Sequence, residues 1–197
     1  MKIIKRLLLN PADAIREGKA VNKNNIEKVS SLLLIEWFII GLANVIVYAN
    51  LGKLTMFSLG LTFFFLGISL ILFFAFLLKI VMITLGGKGN YYRALTALVY
   101  GTFALSIGIL ISSPFFYVPK FGFLFGLLFL SISGALSIAT LYRAVKEFFE
   151  TDIMTTWIGM GLVATGLTIG IYLTIILLLG GTSDFLPVIS VFEGLNF

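Results

Sequence analysis

The sequence predicts an all-α polytopic membrane protein: a bundle of five transmembrane helices preceded by a cytosolic amphipathic helix. Apolar residues make up 59% of the 197 residues and charged residues only 12%. Soluble domains carry about 25% charged residues, so too few polar groups remain here to cover a water-facing surface. Five apolar stretches are also long enough to cross a hydrocarbon core of about 30 Å at 1.5 Å per helical residue. The bilayer is therefore expected to be the main solvent of this chain.

The first 30 residues are predicted to form a basic amphipathic segment at the membrane surface. Residues 1–9 alternate basic and aliphatic side chains, a pattern that can lie flat among lipid headgroups. A helix should begin next, because Asn10 is a good cap, Pro11 suits the first helical position and Asp13 favours the first turn. We expect that helix to end near residue 20. The apolar run before Asn10 is too short for a secretory signal peptide.

The five spans follow from the apolar runs between polar segments. They are predicted at 31–48, 54–83, 94–111, 121–141 and 154–179, which gives a transmembrane domain at 31–179 and an external tail at the membrane interface, 180–197. Small residues recur at helical spacing in spans three, four and five. Because close packing over small residues drives helix association in lipid, these three spans are predicted to form the tight centre of the bundle.

A polar turn, residues 85–93, joins spans two and three. Gly86 or Gly87 is expected to end span two in a left-handed conformation, and Asn90 to cap span three. The glycines lack the spacing of a phosphate-binding Walker loop. The turn is either purely structural or a contact for headgroups or a protein. Its two cations, at headgroup height, are Lys88 and Arg93.

The distribution of Lys and Arg predicts the orientation of the chain. Twelve of these residues fall in the amino segment, around the polar turn and in the linker after span four, and only Lys53 and Lys120 fall on the opposite side. By the positive-inside rule the amino end is cytosolic and the carboxyl end external, with the plasma membrane as the expected location. The candidate contacts of this basic cytosolic face with lipid or a protein partner are Lys2, Lys5, Arg6, Lys88, Arg93, Arg143 and Lys146.

The linker after span four, residues 141–152, carries several charges and is expected to be a solvated helix end. Its Phe148 and Phe149 would then rest on the membrane or on a partner.

Polar residues inside the spans form a second candidate site. Glu36 and Asn44 lie about 80° apart around span one, so both can face the bundle. An ionisable residue within a span is a functional hypothesis by default. Three alternatives stay open for Glu36: pairing with Lys79, Arg93 or Arg143, handling of a proton or cation, and contact with a partner or lipid. A polar path would comprise Glu36, Asn44, Thr165, Thr168 and Tyr172.

The composition also argues against catalysis by side chains of this protein. Cysteine and histidine are absent, which removes disulfides, thiolate nucleophiles and imidazole acid–base groups. The spans hold no cluster of carboxylates, so no enzyme, cofactor or metal is predicted. The net charge of +5 is concentrated near the amino end, a pattern typical of contact with anionic membranes rather than nucleic acid.

Several short motifs resemble the Ypt-interacting-protein (Yip) domain family of five-span membrane proteins. They are the Asn10-Pro11 helix start, the Leu85-Gly86-Gly87-x-Gly89 turn, the aromatic pair Tyr91 and Tyr92, and Tyr100 beyond them. The chain departs from the family pattern in lacking a proline shortly after Tyr100 and the long amino region with a Tyr-Gly-Pro motif. Abundant Ile and Lys without Cys or His suits a prokaryotic member, including an archaeal one.

The resemblance implies a non-enzymatic membrane organiser or adaptor. Eukaryotic members bind prenylated small GTPases, and this role is not expected here because the recognition region is missing. The expected partners are membrane lipids, a protein on the cytosolic face and a second copy of the chain, with no nucleic acid. The alternative function is a small transporter or channel subunit that uses the polar path described above.

Overall fold

The computed structural model describes Leu7 and residues 10–19, 26–47, 53–118 and 121–178, with only the backbone path for 53–56, 59, 116–117, 167 and 169–178. Within this part of the chain the structure is helical and contains no strand. Its elements are α1 (Pro11–Gly18), α2 (Glu27–Val47), α3 (Lys53–Thr84), α4 (Tyr91–Ser112), a 3-10 helix (Ser113–Tyr117), α5 (Gly122–Phe149) and α6 (Ile153–Leu178).

Four helices are long and apolar enough to cross a membrane. They cover Glu27–Val47, Gly60–Thr84, Tyr91–Phe115 and Gly122–Phe149. This confirms the predicted all-α polytopic class. In α6 the apolar stretch among the described residues is shorter, Ile153–Gly166, so the fifth crossing stays a prediction.

Two helix boundaries differ from the predicted ones. The helix of span one begins at Glu27, ahead of the predicted start at residue 31. The helix of span four continues to Phe149, well beyond residue 141. The prediction of a solvated linker at 141–152 is wrong, because Phe148 and Phe149 are fully buried. Both rings lie on one face of α5 with Ala144 and Val145, and that face packs against other parts of the protein. Hydropathy alone does not reveal such a contact.

Helix α4 lies at the centre of the bundle. Of its apolar window 61% is buried, against 17–33% for the other three spanning helices. It packs most extensively against α5, where a Cβ added at Gly101 would approach the Leu141 Cβ to 2.6 Å, and one at Gly108 would collide with Ser133. Ser137 of α5 donates a hydrogen bond of 2.6 Å to the Gly101 carbonyl oxygen. The small residues of spans three and four therefore do form a close interface, as predicted.

The prediction that span five, here α6, belongs to the tight centre of the bundle is wrong. Helix α6 packs chiefly against α3, where Gly159 meets Met82, and more lightly against α5. Among the described residues, nothing lies within 4 Å of a Cβ added at Gly161 or Gly166. Helices α2 and α3, rather than α6, complete the packing around α4.

Candidate functional site

Three segments that are distant in sequence meet at one end of the bundle. Because α3, α4 and α5 alternate in direction, the end of α3, the start of α4, the end of α5 and the start of α6 share that end. The Lys88 N–H donates to the Phe149 carbonyl oxygen at 2.8 Å, which joins the polar turn to the α5–α6 junction. We call α1, the polar turn (85–93), the end of α5 (143–149) and the junction (150–152) the cap.

The polar turn has the local structure that its residues predict. Helix α3 ends at Thr84, and Gly86 in the turn that follows has a left-handed φ of +89°. The Asn90 side chain accepts a hydrogen bond of 2.9 Å from the Arg93 N–H at the start of α4. Gly89 lies against the ring of Phe149, so a Cβ there would collide with it. Gly86 as the predicted helix terminator and Asn90 as the predicted N-cap residue are both confirmed. The packing of Gly89 on α5 adds a requirement for glycine that the sequence does not show.

Arg93 has a structural role in the cap. Its Nη1 donates to the carbonyl oxygens of Lys88 at 3.1 Å and of Phe148 at 3.3 Å. The Phe148 carbonyl belongs to the last turn of α5, where carbonyls lack helical partners and carry partial negative charge. The Nε of Arg93 is buried and has no hydrogen-bond partner among the described residues. The guanidinium thus ties the turn to α5 through its Nη1.

Helix α1 docks on α4 and α5 through a small apolar face. Ala14, Ile15 and Gly18 are buried. A Cβ at Gly18 would come within 2.7 Å of the Phe148 ring and 2.9 Å of the Tyr100 ring. The amphipathic pattern predicts an apolar face, but nothing in the sequence indicates that this face covers protein rather than lipid.

An ion pair fixes the end of α1. Lys19 Nζ lies 2.8 Å from Glu150 Oε1, and both side chains are partly exposed. Glu150 ends α5 in the left-handed conformation, with φ 56°. The hydrogen bond and charge of Lys19 lower the pKa of Glu150 below its ordinary value, with smaller contributions from Lys88 and Arg93. The sequence gives no sign of this pair, because residues so far apart carry no periodic signal of contact.

The remaining cations of the cap differ in whether they have a partner. Arg143 is exposed and paired with Glu147 at 3.1 Å. Lys88 is exposed and Lys146 half-buried, and among the described residues neither forms an ion pair within 4.0 Å. The predicted contacts Lys2, Lys5 and Arg6 lie outside the described residues.

Glu36 is fully enclosed within the bundle. In the described part of the chain neither of its carboxyl oxygens has a hydrogen-bond partner. Thr102 of α4 lies beside it, but the Thr102 hydroxyl donates to the Leu98 carbonyl oxygen at 2.8 Å. Of the three alternatives for Glu36, pairing with Lys79, Arg93 or Arg143 is wrong, because no cation lies within ion-pair distance of it among the described residues.

The other members of the predicted polar path are not brought to Glu36. Asn44 donates to the Ile40 carbonyl oxygen of its own helix at 2.9 Å. Thr165 and Thr168 are exposed on α6, which packs on α3 and α5 rather than on the helix of Glu36. The side chain of Tyr172 lies outside the described residues. No group of three or more His, Cys, Asp or Glu that could hold a metal occurs in the described part.

The fold and the cap define an all-α polytopic membrane protein whose polar contacts concentrate at one end. The family model of the Yip1 domain matches residues 5–177, so the chain belongs to that family. This confirms the resemblance carried by the polar turn and the aromatic residues after it. The family is not known as enzymatic. No curated protein and no solved structure matches the chain.

Proposed function

We propose that this protein is a non-enzymatic membrane organiser whose cap binds anionic lipid headgroups on the cytosolic face of the plasma membrane. The observation that carries the proposal is the pair of cations, Lys88 and Lys146, that have no ion-pair partner among the described residues. Both belong to the end of the bundle that the positive-inside rule assigns to the cytosol.

Three other cations of the cap are already engaged, whereas Arg16 of α1 is exposed and, like the two lysines, forms no ion pair among the described residues. Lys19 pairs with Glu150, and Arg143 pairs with Glu147. Arg93 donates to backbone carbonyls of the cap. Partners within the protein compete with a lipid phosphate, so cations without partners are best placed to bind one. Lys88 and Lys146 are the two such cations next to the polar turn and the α5–α6 junction.

The expected strength of this contact is modest. A basic residue near an anionic membrane surface contributes about 1 kcal/mol. Two lysines therefore provide about 2 kcal/mol, or roughly thirtyfold in the preference for anionic over neutral lipid. The amino segment adds Lys2, Lys5 and Arg6 to this attraction if it lies at the surface, as its pattern predicts.

Native mass spectrometry after extraction in native lipid tests the proposal. The wild-type protein should retain anionic lipids in excess of their bulk fraction. The double variant Lys88→Ala/Lys146→Ala should lose most of that enrichment, whereas Arg143→Ala, which removes a cation already paired, should lose little of it. Equal retention of neutral and anionic lipid by the wild type would contradict the proposal. A protein retained in place of lipid, and released by the same double variant, would make the face a protein contact instead.

A further inference from the structure

Glu36 lies near the middle of α2, a helix long and apolar enough to cross a membrane. It follows Glu27, the start of α2, by nine residues, or about 14 Å along the helix axis. Thr102 follows Tyr91, the start of α4, by eleven residues, or about 16 Å. The two helices run in the same direction because α3 returns between them. Both side chains therefore lie inside helices long enough to cross a hydrocarbon core of about 30 Å, at similar distances from the cap end.

The helices packed around Glu36 supply no described counter-charge. On α3 the one charged side chain among the described residues is Lys79, which lies near the cap end of that helix. On α4 the charged residue is Arg93, whose Nη1 is engaged with carbonyls of the cap. The remaining titratable groups of α4 are Tyr91, Tyr92 and Tyr100, and no described hydrogen bond joins any of them to Glu36. The 3-10 helix also meets α2, but the side chain of its Tyr117 lies outside the described residues.

These surroundings suit a neutral carboxylic acid far better than a carboxylate. An unpaired ion in a low-dielectric interior costs several kcal/mol even after relaxation. A neutral polar group costs much less, and a hydrogen bond offsets most of that cost. A proton is also the smallest cation and requires no cavity, which fits a side chain with no exposed surface.

We propose that Glu36 is a proton-binding site inside the membrane-spanning bundle, with Thr102 as the hydrogen-bond acceptor of the bound proton. The proton comes from solvent and adds to one carboxyl oxygen, and no other bond forms or breaks. The Thr102 hydroxyl donates its own hydrogen to Leu98, so its oxygen lone pairs are free to accept. The resulting chain of hydrogen bonds runs from α2 through Thr102 to the backbone of α4, and it exists only while the proton is bound.

Infrared spectroscopy of the full chain in lipid nanodiscs tests this site directly, because a protonated carboxyl has a carbonyl stretch that a carboxylate lacks. At neutral pH the wild type should show this band, and Glu36→Gln should abolish it. Glu36→Asp keeps a carboxyl at the position and should move the band without removing it, which covers the case in which the glutamine variant does not fold. If no band at neutral pH depends on residue 36, the proposal is overturned.

The role of Thr102 has its own variant and control. Thr102→Val removes the accepting hydroxyl and should shift the Glu36 band, because its hydrogen bond is lost. Thr140→Val removes a hydroxyl that donates only to its own helix, at 2.8 Å from the Leu136 carbonyl oxygen, and should leave the band in place. An unshifted band in Thr102→Val would overturn the assignment of the acceptor. The double variant Lys88→Ala/Lys146→Ala should not alter the band, which separates this proposal from lipid binding at the cap.

Discussion

The interface between α4 and α5 and the surface of α6 carry the same kind of sequence but have opposite environments. Both helices of the interface and α6 have glycine, serine and threonine at helical spacing. At the interface, side chains of α5 occupy the space beside Gly101 and Gly108. Ser137 of α5 donates a hydrogen bond to the Gly101 carbonyl oxygen of α4. On α6, Gly161 and Gly166 have no described neighbour within 4 Å. Small residues thus permit close packing without requiring it.

The largest expected contrast comes from replacing one glycine by leucine at the α4–α5 interface and one on the surface of α6. Gly101→Leu should lower the free energy of unfolding by about 1–3 kcal/mol, because the new side chain must displace Leu141. Gly161→Leu gains the same helix propensity and meets no described atom, so it should not destabilise the protein. Thermal unfolding in a single detergent compares the two. Equal loss in both variants would mean that the surface of α6 is also packed.

The next contrast is between two arginines near the cap end. Arg93→Ala removes hydrogen bonds from a charged donor to two carbonyls, so a loss of about 1.5–3 kcal/mol is expected. Arg143→Ala breaks an exposed pair with Glu147, which contributes about 0.3–0.5 kcal/mol. Chemical denaturation of both variants measures the difference. Arg93→Lys should recover only part of the loss, since an ammonium group does not reproduce the planar fork.

A smaller effect is expected from the hydrogen bond between α4 and α5. Ser137→Ala removes the donor to the Gly101 carbonyl, and such bonds in membrane proteins contribute about 0.6 kcal/mol on average. Thr168→Ala removes a hydroxyl that bonds only to its own helix, at 3.0 Å from the Ala164 carbonyl oxygen, and serves as the control. A loss in the threonine variant as large as in the serine variant would contradict the contrast.

The smallest effect is a dependence on acid at the Lys19–Glu150 pair. Lys19 lowers the pKa of Glu150 below its ordinary value of 4.5 in the folded protein. The contribution of the pair to stability is therefore present above that ordinary value and is lost as the pH falls through the lower, folded-state pKa. The melting temperatures of wild type and Glu150→Gln should differ slightly at neutral pH and converge in acid. A difference that persists unchanged in acid would show that the carboxylate charge is not the cause.

Much of the fold could be predicted because local rules decide it. Asn10 with Pro11, and Gly86 with Asn90, start and end helices through their own backbone preferences, and hydropathy locates the apolar helices. The boundary at Phe149 could not be predicted, since α5 extends there only because α1 and the polar turn cover its last residues. The same limit applies to Arg93, whose bond to the Phe148 carbonyl joins it to a helix distant in sequence. Glu36 was identified as unusual from sequence, but its lack of a cation partner required the packing of α2 against its neighbours.

The most direct test of the account concerns the orientation of the cap and the fifth crossing. The chain has no cysteine, so the single substitutions Lys88→Cys and Asn196→Cys each introduce a unique site for a membrane-impermeant maleimide. On intact cells we expect labelling at position 196, and at position 88 only after the membrane is permeabilised. Labelling of both positions from the same side would contradict an odd number of crossings, and labelling of position 88 from outside would place the cap on the wrong face.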